Sequence, residues 1–299
     1  MPLDNPVHTD RARAESFGSV AEQYERFRPS YPAALIDDLA GLNPADVLDV
    51  GCGTGKAARL LAERGLTVLG VEVDAQMAAV ARRHGLEVEV ASFEAWEARD
   101  RRFDLVTCGQ AWHWVDPVVA IPKAAAVLRP GGTLALFWNY DELDVPTQAA
   151  LDDVYRRRAP ELQRSVVVGG NRQTDRPHID DLEASGLFAS VETRTYRWER
   201  AYPRAEWVGM VQTHSDHLRL DPSRRAALLN GLDAAIDALG GTIASHYGTY
   251  TAFARVASSA AWQSCAHGPA DDPRCRCGAR RAGHPGAPVL ARRAPGRRA

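Results

Sequence analysis

The chain has 299 residues, 45% apolar and 25% charged, with 36 Lys and Arg against 38 Asp and Glu and a formal net charge of −2. Those are globular proportions, enough for a sizeable core, and no apolar run approaches the roughly 20 residues of a membrane-spanning helix. The opening MPLDNPVHTDRARAES lacks the apolar stretch of a secretory leader, so the expectation is a soluble, cytoplasmic protein.

Residues 1–14 are polar and are expected to be flexible. Residues 15–43 predict two short helices broken at Arg28-Pro29-Ser30-Tyr31-Pro32, because proline ends a helix and restrains the residue before it. From Asp46 the pattern changes. Predicted strands at Val47–Val50, Thr67–Val71, Leu86–Val90, Phe103–Cys108 and Thr133–Trp138 alternate with predicted helices at Lys56–Arg64, Ala75–His84 and Val118–Leu128. Apolar strands alternating with helices at this spacing predict an α/β core over 44–140, a parallel sheet with helices on both faces. Beyond Asn139 the signal weakens to helices at Val145–Ala159 and Asp175–Ser185, a strand at Val191–Trp198, and helices at Arg204–Thr213 and Pro222–Leu239. A last strand, Tyr250–Val256, follows a Gly240-Gly241 break. The folded domain is thus expected over 15–257, with helical cover from 15–43 and 203–240.

Residues 258–299 hold eight Arg and two Asp, which leaves residues 1–257 at about −8. This basic Ala/Arg/Pro/Gly-rich tail has five Pro and few large apolar residues, and is expected to be disordered. It reads either as a natural appendage for acidic partners or as GC-rich DNA translated in a shifted frame. Its Cys265, His267, Cys275, Cys277 and His284 lack the paired C-x-x-C spacing of a tetrahedral site, so no metal is expected. Cys52 and Cys108 fall in a tight turn and a buried strand, which fits a reducing compartment. The acidic body argues against a nucleic-acid partner, which needs clustered cations on the folded surface.

Val47-Leu48-Asp49-Val50-Gly51-Cys52-Gly53-Thr54-Gly55-Lys56 puts an apolar strand before a glycine-rich turn and a helix, a geometry that brings backbone N–H groups close to a ligand. A triphosphate loop is excluded, since Val50 and Ala57 occupy its required Gly and Ser/Thr positions. A dinucleotide loop is disfavoured because Lys56 takes the sixth position of G-x-G-x-x-G. S-adenosylmethionine, with an α-ammonium and no pyrophosphate, suits the carboxylate of Asp49 beside the turn. Glu72, 21 residues after Gly51, is placed to accept hydrogen bonds from ribose hydroxyls, and Asp74 reads first as the N-cap of the next helix.

Together with Phe103-Asp104-Leu105-Val106 and Leu128-Arg129-Pro130-Gly131-Gly132, these motifs resemble the class I S-adenosylmethionine-dependent methyltransferases, in order over residues 47–134. The resemblance implies a Rossmann-like seven-stranded sheet of order 3-2-1-4-5-7-6, the seventh strand antiparallel, with S-adenosylmethionine as cofactor. Phe17, Val20, Ala21, Tyr24, Phe27, Arg28, Pro29, Tyr31 and Pro32 look like the leading lid helix of the small-molecule branch that includes trans-aconitate and ubiquinone/menaquinone enzymes. By this likeness Asp49, Gly51, Cys52, Gly53, Gly55, Glu72, Val73, Ser92, Phe93 and Gln110 bind the cofactor, with Tyr24 and Arg28 reaching its carboxylate. Ser92 and Phe93 depart from the acidic–apolar pair that family members carry after the third strand, and Glu94 is expected on an exposed helix.

In open α/β sheets ligands sit beyond the carboxyl ends of the strands, which places Trp112, His113, Trp114, Asn139 and Tyr31 toward the acceptor. Aromatic walls from Trp112 or Trp114 suit a cationic sulfonium, and His113 is the general-base candidate for an acceptor that must lose a proton. His214 and His217 are expected on the covering helix as polar or substrate contacts. The leading expectation is methyl transfer to oxygen of a small organic acceptor. A cofactor-binding protein without turnover and an NAD-dependent oxidoreductase are the alternatives.

Overall fold

A computed structural model describes residues 15–162 and 172–257. The expected flexible N-terminus, the basic tail and its candidate zinc ligands lie outside those residues. The chain opens with a 3-10 turn (Glu15–Val20), α1 (Ala21–Phe27) and α2 (Ala33–Gly41). There follow β1 (Asp46–Val50), α3 (Lys56–Ala62), β2 (Thr67–Glu72), α4 (Ala75–Arg83), β3 (Glu87–Val90), β4 (Phe103–Gly109), a 3-10 turn (Trp112–Trp114), α5 (Pro117–Val127) and β5 (Leu128–Glu142). The remainder is α6 (Val145–Arg158), α7 (Arg172–Ser185), β6 (Phe188–Pro203), α8 (Arg204–Val211), α9 (Ser215–Leu218), α10 (Pro222–Ala238) and β7 (Thr242–Val256).

The strands form one sheet of order β3-β2-β1-β4-β5-β7-β6, in which β1 to β5 are parallel and β7 runs antiparallel to both β5 and β6. Successive strand residues face opposite sides, and both sides of the central strands are covered, so β1, β2, β4 and the middle of β5 are buried at nearly every position. Val47, Leu105, Ala135 and Phe137 pack under α2, α3 and α4 with Leu35, Leu39, Ala58 and Leu61. Their neighbours Leu48, Val106, Leu134 and Leu136 pack on the other face against Ile121, Ala124 and Val127 of α5.

The largest departure from the sequence reading is length. β5, β6 and β7 run 15, 16 and 15 residues, far past the expected Thr133–Trp138, Val191–Trp198 and Tyr250–Val256. Inward positions along the first part of β7 include Ser245, Thr249 and Thr251, buried yet polar, so no apolar alternation advertises a strand there. Two of the hydroxyls find partners across the ribbon: Ser245 donates to Asp141 at 3.1 Å and Thr249 to Asn139 at 2.7 Å, whereas the Thr251 hydroxyl is buried without a hydrogen-bond partner among the described residues. The extended ribbon carries a separate helical core in which Trp207, Met210, Leu228, Leu232 and Ile236 pack with Leu151 and Tyr155. It thereby holds α8 and α9 over the carboxyl end of the sheet.

Candidate active site

The turn after β1 closes on three glycines with positive φ: Gly51 (63°), Gly53 (57°) and Gly55 (86°). At Gly51 a Cβ would lie 2.6 Å from the Ala111 Cβ, so the β1 and β4 loops approach as closely as they do only without a side chain. At Gly55 a Cβ would lie 2.3 Å from Leu86 Cδ1, which makes this glycine a packing requirement between α3, α4 and β3. Cys52 reaches the cleft above the turn, while its Sγ packs so near Gly70 that a Cβ there would come within 2.6 Å.

Glu72, at the end of β2, braces the turn. Its Oε2 accepts the Gly53 N–H at 2.7 Å and its Oε1 accepts the Asp74 N–H at 2.9 Å. Burial pushes its carboxyl up, opposed by those backbone donors. A carboxylate offers about four acceptor positions, so ribose hydroxyls still have lone pairs to meet. Asp74 is the N-cap expected for α4, accepting from Gln76 N at 2.8 Å and Met77 N at 3.1 Å. It has a second task that the sequence did not suggest: its Oδ2 accepts the Gly18 N–H at 2.8 Å and so anchors the N-terminal segment.

Asp49 is 2% exposed and faces the cleft beneath the turn. Its register partner on β4 is Thr107, whose hydroxyl donates to Asp49 Oδ1 at 2.7 Å. Burial pushes Asp49 up to about 7, against the pull of Thr107 and with a further push from Glu72. Its charge is thus poised to respond to a cation brought into the cleft.

The cleft has two continuous ends that share Gly51, Gly53, Tyr24, Gln110 and Trp114. One is walled by Phe17, Val71, Val73, Met77, Phe93 and Val115, with Ser92 and Glu94 at its rim. The other is polar and reaches Arg28, Tyr31, Lys56, His113, Asn139, His214 and Asp216. Phe93 also stacks on Trp96 with centroids 6.2 Å apart, and the Ser92 hydroxyl accepts the Ala95 N–H at 3.3 Å. Residues 93–95 form a turn, so Glu94 is not on the exposed helix expected for it; its Oε1 accepts the Asp116 N–H at 3.0 Å.

From above, Phe17 meets Trp114 edge to face at 6.1 Å and Tyr24 at 5.9 Å. Arg28 lies over the Tyr24 ring and donates through Nε to Thr213 Oγ1 at 2.8 Å and through Nη2 to Thr213 O at 3.2 Å. Tyr31 packs edge to face on Phe137 at 4.8 Å, against a bare Gly109. Gln110 takes positive φ (58°) and donates from Nε2 to Asn139 O at 3.2 Å.

Two residues expected to touch an acceptor also serve the fold. Trp112 is 1% exposed and belongs to the core under α5, because the 3-10 turn, at three residues per turn, gives one of its residues to the core and sends His113 and Trp114 toward the cleft. Asn139 borders the cleft but its amide is spent on structure: Nδ2 donates to Ser30 O at 2.9 Å while Oδ1 accepts from Thr249. Asn139→Ala is expected to lower stability by about 1–3 kcal/mol by orphaning those partners, read as a fall in thermal midpoint. An unchanged midpoint would return Asn139 to the acceptor. His217 likewise leaves the cleft; it is fully buried, its ring bonded to the Tyr155 hydroxyl at 3.0 Å and to Asp216 Oδ1 at 3.0 Å.

A family profile described as a methyltransferase domain matches residues 48–136, the span from β1 into β5. An uncharacterized methyltransferase of Mycobacterium tuberculosis is 49% identical over 188 residues, covering 60% of this chain and 77% of that protein. A ubiquinone biosynthesis O-methyltransferase of Hahella chejuensis is 34% identical over 150 residues, covering 44% of this chain and 62% of that protein. Among solved structures, a protein of Anaeromyxobacter dehalogenans described as a candidate type II methyltransferase superposes with a TM-score of 0.57 at 24% identity, over 78% of this chain and 99% of that one. That last likeness speaks for the fold.

Proposed function

Because the chain belongs to the class I S-adenosylmethionine-dependent methyltransferases, we propose that it moves a methyl group to an oxygen of a small, polar organic acceptor in the cytoplasm. The observation that carries this reading is the two-ended cleft. An apolar, aromatic end lies beside Glu72 and suits a nucleoside, and a charged end beyond Asp49 suits an amino-acid tail and an acceptor. The name of the ubiquinone-pathway relative adds weight to oxygen as the atom methylated. Among the described residues no helix is long and apolar enough to cross a membrane.

When bound, S-adenosylmethionine supplies a methyl group on a cationic sulfur. In this reading Glu72 accepts from the ribose hydroxyls, and the Gly51 and Gly53 backbones allow close approach. Val73, Ser92 and Phe93 border the base. Asp49 takes the α-ammonium, while Tyr24 and Arg28 close over the carboxylate, the guanidinium being held in place by its hydrogen bonds to Thr213 and by the nearby charge of Asp216. Trp114 and Tyr24 give the cation aromatic faces. His113, at the polar end and 4.9 Å from the Trp114 ring, receives the proton that a hydroxyl acceptor gives up as its oxygen attacks carbon. Catalysis is then mostly positioning, with the roof excluding water.

Calorimetry on the full chain with S-adenosylmethionine, S-adenosylhomocysteine and NAD tests the cofactor. Selective micromolar binding of the first two is expected, and preference for NAD overturns the reading. Release of S-adenosylhomocysteine on adding hydroxylated small molecules from a cell extract tests turnover. Binding without release would make the protein a cofactor-binding module.

A further inference from the structure

Lys56 is the first residue of α3, immediately after the glycine turn, and its side chain is only 12% exposed. A cation there opposes the positive end of its own helix and loses hydration, so its place calls for compensation from elsewhere. The compensation comes from the N-terminal segment. Nζ donates to Glu25 O at 2.6 Å, near the negative end of α1, and lies 3.5 Å from the Glu25 carboxylate. Arg59 Nη1 reaches Glu25 Oε1 at 2.9 Å, and His84 Nε2 approaches the same oxygen at 3.4 Å. One glutamate of α1 is therefore gripped by Lys56 and Arg59 of α3 and by His84, which follows α4, while Phe17, Tyr24 and Arg28 of the same segment form the cleft's roof.

We propose that Lys56 is a positioning residue that latches the lid of residues 15–28 to the cofactor turn, so that a bound cofactor leaves only when the Lys56–Glu25 contact opens. The turn is then tied on both sides, to Glu72 from below through Gly53 and to α1 from above through Lys56. The rate of cofactor exchange rests on the cofactor reading given above; the latch itself does not.

Hydrogen exchange of the full-length protein without ligand, together with stopped-flow dissociation of S-adenosylhomocysteine, tests this in Lys56→Met and Glu25→Gln. Arg64→Ala, which removes an exposed ion pair with Asp37, is the control. Lys56→Met is expected to speed exchange of amides 21–27 and dissociation of S-adenosylhomocysteine by about tenfold each, with β1, β2 and β4 unchanged. Glu25→Gln, which keeps the backbone carbonyl, should give about threefold, and Lys56→Arg should restore most of the loss. Lid exchange at the wild-type rate in both variants overturns the proposal, as does a loosened lid with unaltered dissociation. If Lys56→Met fails to fold, seen as fast exchange throughout the sheet, Glu25→Gln decides. If the wild type binds no S-adenosylhomocysteine, the cofactor reading has failed, and ligand-free exchange alone decides whether the latch exists.

Discussion

Asp49→Asn is expected to make the protein more stable at about pH 8 while weakening S-adenosylhomocysteine binding by about 10- to 100-fold, the worth of a charge-assisted hydrogen bond. Burial, partly offset by Thr107 and reinforced by Glu72, raises Asp49 to about 7 in the folded chain. In the unfolded chain an aspartate titrates at about 4. Between the two values the folded state binds the extra proton. The Asp49 contribution to stability is therefore full below the unfolded value and is lost as pH rises through about 7. Asparagine has no such loss, so the variant should gain on wild type as pH rises from about 4 to about 7 and keep that advantage at about pH 8. Binding runs the other way, because the α-ammonium favours the ionised carboxylate. Wild-type affinity should rise between about pH 6 and pH 8, and the variant's should stay flat. Calorimetry and thermal unfolding at the same pH values read both. A variant less stable than wild type at about pH 8 would overturn the raised Asp49 carboxyl, and a wild-type affinity indifferent to pH would remove Asp49 from contact with the ligand.

Such a residue, costly to the fold and lining the cleft, is also one the sequence reveals well. Asp49 and Glu72 sit at fixed offsets from a glycine turn that only a strand before and a helix after can produce, and the parallel core over 44–140 follows from apolar runs of the right length. What supports them is far less legible. Thr107 is an ordinary strand residue until the β1–β4 register sets it opposite Asp49. Asp74 declares itself as a helix cap, yet its bond to Gly18 depends on a segment 56 residues away. The first part of the β7 ribbon is obscured in the sequence because its inward Ser245 and Thr249 are polar and bond to cross-strand partners. Trp112 misled because local pattern cannot say which members of a three-residue 3-10 turn point inward. Local chemistry marks where a ligand binds, whereas the groups holding that chemistry in place are fixed by register and by long-range contact.

Glu72→Ala combines both kinds of role, and its expected loss is correspondingly large. The substitution leaves the Gly53 and Asp74 amides without acceptors, and an unsatisfied buried donor costs about 1–3 kcal/mol. Stability should fall by roughly 2–5 kcal/mol, since two such donors are exposed to the loss at once. Affinity for S-adenosylhomocysteine should fall by a further 1–3 kcal/mol, roughly 5- to 150-fold, if the ribose hydroxyls lose their acceptor as well. The two losses separate in Glu72→Gln. Its single carbonyl oxygen can still accept from one backbone amide, but its NH₂ group then faces the other donor, so the brace is half lost and the variant should lie between wild type and alanine in denaturant midpoint. A glutamine can still accept one ribose hydroxyl, so affinity should recover further than stability does. If both variants lose stability yet bind as tightly as wild type, Glu72 is a brace for the glycine turn alone, and the acceptor for the ribose must be sought among the other groups on the apolar rim.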